Sequence, residues 1–287
     1  MAAETPGAGA GPRRIGRILS LGFPLPGPLV DNFNFLTAPA FFDYDAIVVD
    51  PAALSLLIEG VLDGSVDVES FGGRPIRNLP EQPQDLSLGE VLLRRRAETR
   101  ALLAHGGVVV CFAVPATAHA GIDGIEALDD YFWLREPAEI ASLDSVGISA
   151  TDATAGTTQE TADASPPPFT ARMTAADGTR ADVTDFEHPL AAFIESQEAN
   201  IAYRAYFDVV PAVVATHAVL AVSPGGMPVA VELPAEYGRV IFLPALRSVS
   251  GDARYAMSDM LQAGIRRALG VMAEGRAPGW IAEASLP

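Results

Sequence analysis

The sequence predicts a single α/β domain of three layers, a mostly parallel β-sheet flanked by helices, with a C-terminal β-hairpin, one further strand and a final helix. Three observations carry this. Short runs are apolar at every position rather than at alternate ones, notably "AIVV" (Ala46–Val49) and "VVVCFAV" (Val108–Val114); strands read this way when both faces of a sheet are covered. Helical patterns separate those runs, as crossover connections require. The chain has 287 residues and is 49% hydrophobic, enough for one large core.

Taken in order, residues 1–14 read as a disordered N-terminus and 15–272 as the domain. "RILSLGFPLPG" (Arg17–Gly27) is a buried strand closed by a Gly- and Pro-rich turn. "DYDAIVVDP" (Asp43–Pro51) is a second strand, stopped by Asp50-Pro51. Ala53, Leu54, Leu57, Ile58 and Val61 then recur at helical spacing, with Pro51 suited to the first turn. Ser65 to Gln84 reads as a loop with at most one short strand. The clearest helix is Leu86–Gly107, with Ser87 and Glu90 as a capping box, Leu92, Leu93, Ala97, Arg100, Leu103 and Ala104 marking its two faces, and Gly106-Gly107 as its stop.

Strand Val108–Val114 follows and ends at Pro115; Asp129–Pro137 is an aromatic segment at the end of an element. Composition turns to Thr, Ala, Asp, Gly and Pro over about 149–185, which reads as a flexible insertion. Order returns at Phe186–Gln197, then in three strands, Ala212–Ser223, Met227–Pro234 and Gly238–Leu246, the first two joined by the hairpin signal "SPGGMP". A final helix spans Gly251 to Leu269, with Tyr255, Met257, Met260, Leu261, Ile265, Ala268 and Leu269 as apolar positions, before a tail at 273–287.

Composition excludes several function classes. A net charge of −17 makes nucleic acid and anionic membrane poor partners, because both are bound through Lys and Arg. All 19 basic residues are arginine. A lysine-free chain has no Schiff-base, P-loop or kinase lysine. The single cysteine forms no intramolecular disulfide and suits a reducing compartment. No signal peptide and no membrane-length apolar run of about 18 residues is legible. The expectation is a cytoplasmic protein with no cofactor and no metal: no G-x-G-x-x-G follows the first strand, no G-x-S-x-G elbow is present, and no two histidines have metal-ligand spacing.

Cys111 sits mid-strand and reads as a buried apolar residue, since reactive thiols need an electropositive, partly exposed setting. His105 ends a helix, His188 sits at the start of one, and His217 lies inside an apolar strand. Asp43 and Asp45 read as solvated turn residues. Asp50 ends a strand just before a helix, where a carboxylate caps the helix or contacts a ligand. His119 lies a few residues past Pro115, beyond the carboxyl end of a strand, where open α/β sheets bind ligands. Asp31 and Asn32, among apolar and aromatic residues in "LVDNFNF", are expected in the loop after the first strand, at the same edge. The candidate ligand site is therefore Asp31, Asn32, Asp50, Pro115 and His119.

Several pieces together resemble class I glutamine amidotransferase-like domains: "DYDAIVVDP" before a helix, a long helix into "GGVVVCFAVP", then "EHPL", and finally "HAVLAVSPGGMPVAVELPAEYGRVIFLPAL". In that superfamily such a tail closes a flavodoxin-like sheet. The resemblance implies that fold without its activity. The family's catalytic cysteine occupies a sharp turn flanked by glycines, whereas Cys111 lies between Val110 and Phe112; the family's His-x-Glu pair is absent, since no Glu stands two residues after His188 and no His follows "FLPAL". No catalytic residue is carried over. Three functions stay open: a non-catalytic binding or regulatory module for a small molecule, an unorthodox hydrolase using Asp50 or His119 with a metal or water, and an interaction protein that docks a partner through Tyr131–Trp133.

Overall fold

The computed structural model describes residues 16–63, 67–71, 74–78, 86–119, 122, 125, 128–134, 139–142, 170–197, 200–209, 219–235, 237–246 and 252–270. In chain order the elements are β1 (Ile18–Leu21), β2 (Val30–Phe33), β3 (Ala46–Val49), α1 (Pro51–Leu62), β4 (Asp67–Phe71), β5 (Arg74–Asn78), α2 (Leu86–Ala104), β6 (Val108–Ala113), β7 (Ala118–His119), β8 (Leu128–Asp129), β9 (Glu139–Ser142), β10 (Thr170–Gly178), β11 (Asp182–Val183), α3 (Ala191–Ser196), β12 (Ile201–Val209), β13 (Val219–Val222), β14 (Pro228–Ala235), β15 (Gly238–Leu246) and α4 (Asp252–Ala268).

Among the described residues the main sheet has 11 strands and is mixed. One half, β2-β1-β3-β6-β15, is parallel throughout. Counting only these strands along the chain, their spatial order is 2-1-3-4-5. Beyond β15 the pairings turn antiparallel, through β14 and β13 to β11. β12 pairs antiparallel with the last two residues of β15 and with β10, and β10 pairs parallel with β9. The expected mostly parallel sheet is thus replaced by one that changes character at β15. The reason is local: β14 turns straight back into β15, and the "SPGGMP" turn, with Gly226 at φ +80°, likewise returns β13 into β14, so both connections give antiparallel pairs.

Strand alternation sorts the core onto two faces. Leu19, Leu21, Ile47, Val49, Val109, Cys111 and Phe242 pack beneath α1 and α2. Ile18, Val48, Val110, Phe112, Ile241 and Leu243 pack beneath α3 and α4. β6, between β3 and β15, is buried at all six positions, which is why its sequence is apolar without alternation.

Several expectations need correction. β2 is a strand in register with β1, so Asp31 and Asn32 are strand residues beside Leu19 and Ser20, not loop residues beyond the sheet's carboxyl edge. α2 already includes Leu86, which places Ser87 inside the helix and not at its cap. Within the stretch read as a loop with at most one short strand, β4 and β5 are two paired antiparallel strands. β10 and β11 occupy the second half of the stretch read as an insertion; residues 149–169 lie outside the described residues, as does His217. Leu93 and Tyr255 are exposed, while Arg95, Glu98 and Thr99 are buried on α2. Among the described residues no helix is long and apolar enough to cross a membrane.

Candidate functional site

Parallel α/β sheets bind ligands outside the carboxyl ends of their strands, where the order of strands reverses. Here β1 leads to β2 on one side and the chain then returns to β3 on the other, so the reversal lies between the carboxyl ends of β1 and β3. Asp50 stands there. Its backbone N–H donates to the carbonyl of Leu21 at 3.0 Å, and its carboxylate accepts from the N–H of Ala52 at 3.1 Å, capping α1 with Pro51 in the first turn. Gly22 makes the close approach possible: at φ +78°, a Cβ on it would lie 2.5 Å from the Cβ of Ala53. Burial pushes the Asp50 carboxyl above its ordinary pKa, against the N–H groups of Ala52 and Ala53 and the charge of Arg204 on β12.

The second part of the edge is built by the chain after β6. The Tyr131 hydroxyl donates to the carbonyl of Val114 at 2.7 Å and accepts its N–H at 3.2 Å, satisfying the backbone just where the strand ends. β7 and β8 then pair, with His119 opposite Leu128. This brings His119 Nε2 to 2.6 Å from Asp130 Oδ1, with side chains only 3% and 1% exposed. The other Asp130 oxygen accepts the N–H of Thr117 at 3.0 Å, and the carbonyl of Asp130 accepts from Trp133 Nε1 at 2.8 Å. A carboxylate only accepts hydrogen bonds, so the Nε2 that faces Asp130 donates to it. Among the described residues no hydrogen bond engages Nδ1.

Ser55, on α1, places its Oγ 3.5 Å from the same Nε2. A serine nucleophile in a triad bonds the imidazole nitrogen opposite the carboxylate. Ser55 instead shares the nitrogen whose proton already points at Asp130, so it is not activated by this pair. Cys111 is equally unsuited: it is completely buried, and burial first, then the charges of Asp50 and Asp130, push its thiol well above its ordinary pKa.

Of the five residues expected at the site, Asp50 and His119 lie at the carboxyl edge, and Pro115 is part of the loop between β6 and β7 that leads to His119. Asp31 and Asn32 are engaged elsewhere. Asp31 pairs with Arg17 at 3.0 Å and accepts the Tyr44 hydroxyl at 2.9 Å, which with burial raises the tyrosine pKa to about 12. Asn32 accepts the N–H of Leu25 at 2.7 Å and donates to its carbonyl at 2.9 Å, pinning the turn after β1. His105 bonds the Ala101 carbonyl within its own helix end. His188 accepts the N–H of Leu190 at Nδ1 and donates from Nε2 to Glu232, holding the start of α3 to β14. Asp130 and Ser55 were not foreseen; no spacing ties either of them to His119, and only the pairing of β7 with β8 and the run of α1 bring them together. Tyr131, Phe132 and Trp133 are buried and offer no exposed aromatic surface.

Fold and edge together define an α/β protein whose polar groups converge where the strand order reverses. No protein-family model matches the chain, and no curated protein matches it. Among the described residues no group of three or more His, Cys, Asp or Glu side chains is placed to hold a metal ion.

Proposed function

We propose that this chain is a non-catalytic binding or regulatory module, divergent within the class I glutamine amidotransferase-like superfamily, that seats a small polar molecule at the carboxyl edge of its sheet. The single observation that carries this is His119: a nearly buried imidazole past the carboxyl end of β6, held through Nε2 by Asp130 and beside Ser55 of α1. Asp50 at the strand-order reversal supplies a second acceptor. The 2-1-3-4-5 order of the parallel strands supports the flavodoxin-like reading. The mid-strand place of Cys111 supports a member without the family's chemistry. The acidic balance favours a neutral or cationic ligand in a cytoplasmic setting over nucleic acid.

The test is an amide-detected NMR titration of the protein with a set of small amides, alcohols and amines. Shifts should cluster at residues 50–55, 114–119 and 128–131 and disappear in His119→Ala and Asp50→Ala. Shifts that persist in both variants, or none at all in the wild type, would refute the site.

A further inference from the structure

We infer that His188 is an acid-sensitive latch: a second proton on its ring releases the start of α3 while the tie to β14 stays. The inference goes beyond the binding reading and does not depend on it. The two ring nitrogens have partners of opposite kind. Nδ1 accepts the N–H of Leu190 at 3.1 Å, and Nε2 donates to Glu232 at 2.8 Å. A backbone N–H only donates and a carboxylate only accepts, so the two bonds together require a neutral imidazole with its proton on Nε2. They respond differently to acid. An imidazolium still donates from Nε2, and the carboxylate holds it more strongly. At Nδ1 it presents an N–H to the N–H of Leu190, so that bond is lost. Histidine is the side chain whose ordinary charge change falls between about pH 5 and pH 8.

Packing makes the lost bond matter. Leu190 stands at the start of α3 and makes no side-chain cap, so the imidazole is what holds its N–H. Leu190 is completely buried and sits against Gly264 of α4, where a Cβ would lie 2.4 Å from Leu190 Cδ2 and 3.0 Å from the carbonyl of Pro189. A shift of the α3 start therefore unseats Leu190 from α4. The surrounding charges set the direction. Glu232 faces the ring from β14 and favours the imidazolium; Arg239 on β15 holds the other Glu232 oxygen at 3.0 Å and weakens that pull. Burial raises the Glu232 pKa, but His188 and Arg239 outweigh it and hold it below 4.5, so this carboxylate stays ionised between about pH 5 and pH 8. Within the same turn Asp185 accepts the N–H groups of Glu187 and His188 at Oδ1, and Glu187 itself is exposed. α4 meets the segment at Gly264, which carries no charge. The closed arrangement opposes a proton at Nδ1 and the opened one does not, so acid favours opening. The opened state takes up the proton, and no channel to the closed ring is needed.

The experiment follows amide hydrogen exchange of the full chain at residues 190–197 between about pH 8 and pH 5. In the wild type the opening constant of this stretch, corrected for intrinsic exchange, should rise by up to about tenfold for each unit of falling pH. The Leu190 amide signal should move with it. His188→Asn keeps an acceptor near the place of Nδ1 and does not titrate, so its α3 should stay closed across the range. Glu232→Gln keeps an acceptor for Nε2 but removes the charge that favours the imidazolium, so the rise should begin at lower pH. Asp185→Asn keeps the Oδ1 acceptor and should leave the rise in place. Circular dichroism and melting temperature at the upper pH check that each variant keeps the fold. A wild-type Leu190 amide indifferent to pH, the same rise in His188→Asn, an unmoved onset in Glu232→Gln, or a rise abolished in Asp185→Asn would each overturn the latch. The Glu232→Gln arm decides alone if His188→Asn does not fold. The binding reading is tested at residues 50–55, 114–119 and 128–131, so either can fail without the other.

Discussion

Replacing Arg95 by Met tests how the site is supported. The Arg95 side chain is 1% exposed. Its Nε donates to the carbonyl of Phe35 at 3.1 Å, its Nη1 to Pro39 at 2.9 Å and to Glu98 at 2.6 Å, and its Nη2 to the carbonyl of Ala38. The guanidinium also lies 4.7 Å from the centre of the Phe41 ring. Methionine keeps the stem and removes every one of these polar contacts. It leaves three carbonyls short of a donor and strands the Glu98 carboxylate, which keeps only the Phe41 N–H and an Arg94 at 3.7 Å. Removing one member of a buried ion pair costs roughly 3–5 kcal/mol. For a chain of this size that is a fall of about 10 °C in melting temperature.

Urea unfolding followed by far-ultraviolet circular dichroism and tryptophan fluorescence measures it. The double variant Arg95→Met, Glu98→Met should regain about 1–2 kcal/mol, because no charge is stranded. The effect should reach the site. Phe35 packs edge-on against Trp133 at 5.7 Å, and Trp133 holds the backbone of Asp130. A single variant within about 1 kcal/mol of wild type, or a double variant no better than the single, would refute the reasoning.

Three further outcomes are expected. Cys111 should react with a thiol reagent slowly under native conditions and stoichiometrically in urea; fast native labelling would contradict its burial. At Glu232 burial raises the pKa, but the His188 hydrogen bond and the Arg239 charge outweigh it, so the folded value lies below the ordinary 4.5; its stabilisation is present above that value and is lost as pH falls through the folded one. Glu232→Gln should therefore cost about 2 kcal/mol at neutral pH and far less in acid, read by denaturant unfolding at several pH values; an equal loss at every pH would count against the pairing. Gly22→Ala should destabilise by about 1–3 kcal/mol, since it combines a positive φ with a Cβ 2.5 Å from that of Ala53; a neutral effect in thermal melts would show that the turn after β1 can shift.

What the sequence made legible was whatever is apolar and contiguous. β3 and β6 stood out because both of their faces are buried, and α1 because its apolar residues recur every three to four positions. β2 did not stand out: "VDNF" is an edge strand with half-exposed polar residues, so it lacks the apolar run and resembles a loop. That one misreading moved Asp31 and Asn32 into the candidate site. Arg95 and Glu98 were hidden for the opposite reason: charged residues carry no apolar signal, yet these two in "RRRAET" are buried against residues 35–41. β12 carries an alternation at Ile201, Tyr203, Ala205 and Phe207, with Ile201, Ala205 and Phe207 buried. The places of His119 and Asp50 at the sheet's carboxyl edge were legible because both follow the ends of apolar strands. Asp130 was not, because its tie to His119 is tertiary.

The imidazole nitrogens of His119 give the most direct measurement. In nitrogen-15 NMR of the histidine side chains, His119 Nε2 should carry a proton held in the hydrogen bond to Asp130, and Asp130→Asn should weaken that hold. A bare Nε2 in the wild type, or a signal unchanged in Asp130→Asn, would contradict the account.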